Sequence, residues 1–275
     1  MARIKEHFGF DCSGDIRDFT IDDRDYLVEM VSRHKVLRWR NQTLTAQEYL
    51  KFSEIFSECW ANDDGLLLGG NNESKVSHIE SNKITLVSNR ETGVLSDREI
   101  SWHSDVSHKP FYTPGGTTPF RLLYAVTLPD DEQTITRWLD CEYVYNHCPI
   151  ELRTVCEKLI EFNQADYITS WDGCVSPFVK IDPITHNKSF TIQRDFFKHF
   201  IGMSELESKL IMDQLFDIAL RPENIITNEW QVGDVILNNN YNTIHQREKF
   251  TSTQERTLWR TTFQIDELIP SNLKT

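Results

Sequence analysis

The chain has 275 residues, 39% hydrophobic and 26% charged, the composition of a globular protein long enough to bury a sizeable core as one large domain or at most two. Its formal net charge of −13, with no long basic cluster, argues against nucleic acid or an anionic membrane surface as the main partner. No apolar run approaches the roughly 18 residues that span a bilayer, and Met1-Ala2-Arg3-Ile4-Lys5-Glu6 has no apolar signal-peptide region, so a cytoplasmic chain is expected, its six cysteines free thiols with no Cys-x-x-Cys pair.

Residues 22–34 carry Leu27, Met30 and Val31 at helical spacing, and residues 36–40 have β character. Thr45-Ala46-Gln47-Glu48 is a capping box, followed by a helical face of Tyr49, Phe52, Phe56 and Cys59. A polar loop over 63–80 leads to a strand over 83–89, and a second loop over 90–98 leads to Trp102-His103-Ser104-Asp105. Residues 109–119 contain Pro114-Gly115-Gly116 and form either a lid over a site or an ordinary surface loop. Residues 120–128 make a strongly apolar strand, closed by Pro129 and the acidic turn Asp130-Asp131-Glu132, and Thr134-Ile135-Thr136 has β propensity.

Residues 149–162 predict one helix with Leu152, Val155, Cys156 and Leu159 inward. Residues 179–181 and 189–192 predict a hairpin-like pair around a longer loop. Ser204-Glu205-Leu206-Glu207 is a second capping box, heading a helix to about Leu220 with Leu206, Leu210, Ile211, Leu215 and Ile218 as its core stripe. Three β-like segments close the chain: 227–232, 235–238 running on towards His245, and 256–265. With no repeat and no interdomain linker, residues 1–275 predict a single α+β domain with a β-sandwich or barrel core.

On an extended backbone His103 and Asp105 point to the same face. They make two-thirds of the 2-His-1-carboxylate triad that holds non-haem Fe(II) with open coordination positions. Alone, a His-x-Asp pair is more often a surface hydrogen bond. His108 falls on the opposite strand face from His103, whereas His245 follows a buried-strand pattern and precedes Gln246-Arg247-Glu248. Arg256 and Arg260 share a strand face; if Trp259 and Phe263 pack outward, both guanidiniums point inward and need anionic partners. Those partners are either neighbouring acidic side chains or a dicarboxylate gripped by the guanidinium fork.

The order His-x-Asp, a Thr after a strand and acidic turn, a distal His, and arginines eleven and fifteen residues beyond it (256 − 245 and 260 − 245) resembles the taurine dioxygenase (TauD/TfdA-like) family. These are Fe(II)- and 2-oxoglutarate-dependent oxygenases with a clavaminate synthase-like fold. The resemblance runs from about residue 37 to 263. It includes Trp102-His103-Ser104-Asp105-Val106, Leu122-Leu123-Tyr124-Ala125 with Leu128-Pro129, and Trp230-Gln231-Val232-Gly233-Asp234-Val235 ahead of Asn240-Tyr241-Asn242-Thr243-Ile244-His245. It implies a double-stranded β-helix (jelly-roll, cupin-like) core flanked by helices. It implies His103, Asp105 and His245 as iron ligands, Arg256 and Thr134 as partners of the distal 2-oxoglutarate carboxylate, and Arg260 as partner of an anionic group on the substrate. Where the family often has Gly-Gly before that Thr, this chain has Asp131-Glu132-Gln133, and the short turn lets Thr136 compete with Thr134. The intact Asp105 disfavours halogenation, since halogenating relatives carry a small residue there.

The reaction so implied is hydroxylation of an unactivated C–H of a small anionic or amino-acid-like substrate, using O2 and releasing succinate and CO2, in specialised-metabolite biosynthesis. Desaturation, epoxidation or ring formation are alternative outcomes of the same chemistry. A metal enzyme without 2-oxoglutarate and a non-catalytic binding protein are the readings from other classes. Ser88, Asn89 and the 109–119 loop are candidates for the substrate pocket, and Asn238 to Asn240 are either pocket groups or a turn. The sequence leaves oligomeric state open, although the fold often self-associates.

Overall fold

A computed structural model describes residues 8–59, 77–78, 80–90, 99–105, 107, 119–164, 173–182 and 184–263. Most of the loops expected over 63–80, 90–98 and 109–119, with His108, lie outside the described residues.

In chain order the strands and helices are β1 (Phe10–Cys12), α1 (Arg24–His34), β2 (Val36–Trp39), α2 (Ala46–Glu54), β3 (Ser77–His78), β4 (Ser81–Ser88), β5 (Ile100–His103), β6 (Phe120–Thr127) and β7 (Ile135–Asp140). There follow α3 (Cys141–His147), α4 (Ile150–Cys156), β8 (Ile160–Asn163), β9 (Cys174–Pro177), β10 (Val179–Ile181), β11 (Lys188–Phe190) and β12 (Phe197–Phe200). The chain ends on α5 (Glu205–Ala219), β13 (Ile225–Glu229), β14 (Val235–Asn239), β15 (Thr243–Arg247) and β16 (Thr257–Phe263).

Two sheets carry the architecture. A seven-stranded sheet runs β1-β2-β14-β6-β16-β4-β3, and a four-stranded sheet runs β13-β7-β15-β5. Between them lies a core of Val36, Val87, Ala125, Ile236 and Leu258 from the large sheet against Trp138 and Ile226 from the small one and Trp230 just past β13. On the large sheet's outer face α1 and α2 pack Leu27, Val31, Tyr49 and Phe52 against Leu37, Trp39, Leu122 and Trp259. On the small sheet's outer face α3 and α5 pack Val144, Met212 and Phe216 near Leu139 and Ile244. The expected α+β jelly-roll core flanked by helices is therefore the observed fold, without closure into a barrel. No helix among the described residues is long and apolar enough to cross a membrane, and all six cysteines are free.

Both capping boxes form: Thr45 and Ser204 each accept the backbone N–H of the Glu three residues on, whose carboxylate answers the cap's own N–H. Three expectations are corrected. The single helix over 149–162 is instead α4 followed by β8, and Val155 is 46% exposed. The pairing of Ile160–Asn163 with both β9 and β12 outweighs the helical periodicity there. In α5, Leu206 and Leu210 are exposed, and the buried stripe is Ser208, Met212, Leu215, Phe216 and Ala219. Ser208 selects that face because its hydroxyl accepts the Phe200 N–H at 2.9 Å, which an apolar side chain cannot do. Finally, 235–238 does not run on to His245: β14 ends at Asn239, the chain turns through 240–242, and β15 joins the other sheet.

Candidate active site

That crossing between sheets builds the site. Along β15 the side chain of His245 faces His103 of β5, its register partner, with ring centroids 4.3 Å apart. The β5–β15 ladder shifts register between His245 and Arg247, a bulge of the kind that re-aims side chains beside active sites. Asp105, two residues past His103, places Oδ1 3.4 Å from His103 Nε2 and 3.8 Å from His245 Nε2. One ligand atom from each of the three residues lies within 4.8 Å of the others. Two imidazole nitrogens and a carboxylate oxygen, drawn together and largely buried, form a donor set suited to a small divalent transition metal with positions left open.

Neighbouring groups fix those donors. His103 Nδ1–H donates to the Ser101 carbonyl at 2.7 Å, which leaves Nε2 to face Asp105. Asn240, in the turn between β14 and β15, accepts the Asp105 N–H at 2.9 Å and donates to the Asp105 carbonyl at 3.1 Å. Arg121 Nε donates to Asp105 Oδ2 at 3.1 Å, and Arg260 Nη1 reaches the same oxygen at 3.4 Å. Burial would raise the Asp105 carboxyl, but the His103 contact and the charges of Arg260, His245 and Arg121 hold it well below the usual carboxylate range. Burial, then His103, push His245 down to about 3, so it is a neutral imidazole ready to ligate. Burial opposes charging of His103, yet Asp105 outweighs it and raises that imidazole; a metal ion would displace the proton they share.

The cavity in front of this cluster lies between the sheets. From the large-sheet side it is lined by Val87, Arg121, Leu123, Asn238, Leu258 and Arg260, with Arg256 just ahead of β16; from the small-sheet side it is lined by Ile100, Thr136 and Arg247 beside the two histidines. Trp259 turns outward onto Tyr49 of α2, with ring centroids 5.8 Å apart, so Arg260 points inward as its spacing predicts. Arg256 is 2% exposed, its Nε and Nη1 have no partner among the described residues, and burial together with the Arg247 guanidinium pushes it down to about 9. Thr134 likewise has a buried hydroxyl without a partner. Unsatisfied guanidinium nitrogens in the cavity wall fit a carboxylate ligand, whereas Thr134 is not among the cavity-lining residues. Thr136 lines the cavity; its Oγ1 accepts Trp230 Nε1–H at 2.9 Å and its own O–H remains a donor.

Asn89 is not among the cavity-lining residues. Its Oδ1 accepts the Arg256 N–H at 2.9 Å and its Nδ2 donates to the Gln254 carbonyl at 2.9 Å, so it pins the segment that carries Arg256. Ser88 is engaged with Thr257 Oγ1 at 2.8 Å. The three asparagines divide the two roles left open for them: Asn238 lines the cavity, Asn239 accepts the N–H groups of Tyr241 and Asn242 in the turn, and Asn240 clamps Asp105. Sequence reasoning missed Arg121 and Arg247 as site residues. Arg121 was legible as a charge inside an otherwise apolar strand, and Arg247 as the same-face neighbour of His245.

The sequence matches the profile of the "Taurine catabolism dioxygenase TauD, TfdA family" over residues 2–262. It is 25% identical over 286 residues to an alkylsulfatase of Acinetobacter baylyi, covering 95% of this chain and 84% of that one. It is 37% identical over 181 residues to the (S)-phenoxypropionate/alpha-ketoglutarate-dioxygenase of Sphingobium herbicidovorans, covering 58% of this chain and 60% of that one. A taurine dioxygenase from Burkholderia xenovorans superposes with a TM-score of 0.77 at 21% identity, over 96% of this chain and 88% of the other, a likeness that speaks for the fold alone.

Proposed function

The chain belongs to the taurine catabolism dioxygenase TauD, TfdA family, an oxidoreductase family using Fe(II) and 2-oxoglutarate, and from that premise we propose that it hydroxylates an unactivated C–H of a small anionic substrate. The observation that carries this reading is the His103–Asp105–His245 cluster facing a cavity in which Arg256 Nε and Nη1 have no hydrogen-bond partner among the described residues. We assign His103, Asp105 and His245 as the metal ligands and Arg256 with Thr134 as the grip on the distal carboxylate of 2-oxoglutarate. Arg260, with its Nε unpartnered, is assigned to an anionic group on the substrate. An amino acid, or an acidic intermediate of specialised metabolism, has that chemistry.

When bound, Fe(II) and 2-oxoglutarate supply activation of O2: the co-substrate loses CO2 to become succinate, and one oxygen atom enters the substrate C–H bond. The chain's own part is placement. His245 and His103 offer Nε2 lone pairs, the second fixed by the Ser101 carbonyl. Asp105 offers one oxygen and keeps its negative charge. Arg256, with its Nε and Nη1 in the cavity wall unpartnered among the described residues, favours a carboxylate by charge and fork geometry. Ile100, Val87, Leu123 and Leu258 supply apolar wall that excludes water from the reacting positions.

The test is direct. Anaerobic Fe(II) plus 2-oxoglutarate should give the weak visible charge-transfer band of the chelate, and an aerobic screen of acidic metabolites should give substrate-dependent succinate. His103→Ala and His245→Ala should each abolish both signals; near-normal succinate from either refutes the ligand assignment.

A further inference from the structure

We propose that Arg121 is a positioning residue that fixes Asp105 as a one-oxygen ligand and so leaves Arg260 an edge for the substrate; this rests on the ligand assignment above. Arg121 lies in β6 between Phe120 and Leu122, both fully buried, and is itself 2% exposed. A guanidinium placed there is costly unless it is paired. Its hydrogen bonds among the described residues are Nε–H to Asp105 Oδ2 at 3.1 Å and Nη1–H to the Phe120 carbonyl at 3.1 Å. The backbone bond holds the guanidinium still, and the other bond is spent on the carboxylate.

The two oxygens of Asp105 are thereby made unequal. Oδ1 faces both imidazole Nε2 atoms, at 3.4 and 3.8 Å, while Oδ2 faces two guanidiniums, at 3.1 and 3.4 Å. Asn240 holds the Asp105 backbone from both its N–H and its carbonyl, so the remaining freedom is rotation of the carboxylate. Arg121 stops that rotation and competes with any metal for Oδ2. It is the nearer of the two cations on that oxygen. Two guanidiniums against one carboxylate leave one positive charge over. Arg121 Nη2 and Arg260 Nε both lack a hydrogen-bond partner among the described residues, but Arg121 is also pinned to the Phe120 carbonyl and lies nearer Oδ2, which leaves Arg260 the freer of the two for a substrate anion. Without Arg121, Asp105 and a substrate anion would compete for Arg260.

The experiment uses the full chain, prepared metal-free, with Arg121→Gln and Arg260→Gln compared against the unsubstituted protein. Fe(II) is titrated anaerobically at saturating 2-oxoglutarate, with the charge-transfer band and equilibrium dialysis as readouts. Groups that orient metal ligands are typically worth 10–100-fold in metal affinity, so R121Q should lose about tenfold or more in Fe(II) affinity and displace the band maximum. R121K, which keeps the charge, should recover most of the loss. R260Q should bind Fe(II) within about threefold of the unsubstituted protein, because Arg121 still holds Oδ2. An unchanged affinity and band in R121Q overturns the proposal. Where circular dichroism shows R121Q unfolded, R260Q decides, since a tenfold loss there makes Arg260 the holder of Asp105. A fault in the ligand assignment looks different: the unsubstituted protein would give no band, or His103→Ala would bind Fe(II) as well as it does.

Discussion

At the scale of single residues, the proposed co-substrate grip is where neighbouring hydrogen bonds bear most on the reading. Thr134 and Thr136 sit on the same parity of β7 and its approach, but Thr136 is among the cavity-lining residues and Thr134 is not. Thr136 Oγ1 accepts Trp230 Nε1–H, which leaves its own O–H free to donate, while the Thr134 hydroxyl and two Arg256 nitrogens are buried without hydrogen-bond partners among the described residues. A charge-assisted hydrogen bond is worth about 1.5–3 kcal/mol, so Arg256→Ala should raise the 2-oxoglutarate needed for the charge-transfer band by about tenfold to a hundredfold, with Fe(II) affinity unchanged. Thr134→Val removes a hydroxyl-to-carboxylate hydrogen bond and should cost about tenfold or more in the same titration. Thr136→Val should leave that titration unaltered and instead cost about 1 kcal/mol of stability in a denaturant melt, because it strands the Trp230 donor. The reverse pattern for the two threonines would transfer the role to Thr136. That His103, Asp105, His245, Arg256 and Arg260 gather at one cavity was legible because strand parity and motif order locate them without knowledge of neighbours. Asn89 was not, because its hydrogen bonds go to the backbone at Gln254 and Arg256, 165 and 167 residues away in sequence.

At the scale of elements, what could be read depended on whether a segment's signal was local. The capping boxes at Thr45 and Ser204 and the apolar run of β6 specify themselves. The break between α4 and β8 does not, since β8 is made by its pairing with β9 and β12 on either side. The same holds for β14 and β15: nothing in Asn238-Asn239-Asn240 announces a change of sheet, yet that change carries His245 to its place opposite His103. The turn before β14 is more transparent. Gly233 has φ +89°, and a Cβ there would sit 2.7 Å from the Gln42 carbonyl oxygen. The same glycine accepts the Gln42 N–H at 2.9 Å and donates to the Ala125 carbonyl at 2.9 Å, tying the entry of β14 to both neighbouring segments. Gly233→Ala combines a left-handed penalty of about 1–2 kcal/mol with displacement of backbone, so a loss of about 2 kcal/mol or more is expected in urea unfolding. A loss below about 0.5 kcal/mol would mean that the turn rearranges freely.

At the scale of the whole molecule, the site is divided between two sheets in a way that predicts how cofactors stabilise it. His103 and His245 stand on the four-stranded sheet, and Asp105 follows directly from β5. Arg121 and Arg260 stand on the seven-stranded sheet, with Arg256 at the entry to β16. On the proposed assignment, Fe(II) alone would join ligands on one side of the cavity, and 2-oxoglutarate, gripped by Arg256 across from them, would tie the two sheets together. Binding to the native state stabilises by mass action, about 2.7 kcal/mol at a hundredfold excess over Kd. Fe(II) should accordingly raise Tm by one increment and 2-oxoglutarate by a second that appears only with metal present, and a chelator should remove both. The reading of residues 1–275 as one domain predicts that both increments move a single cooperative transition. Arg256→Ala separates the contributions, because it should keep the Fe(II) increment and lose most of the second. Hydrogen exchange adds the spatial test: protection on adding 2-oxoglutarate should spread into β16 of the large sheet, whereas Fe(II) alone should protect β5 and β15. Equal protection of both sheets by Fe(II) alone would mean that the metal, and not the co-substrate, is what joins them.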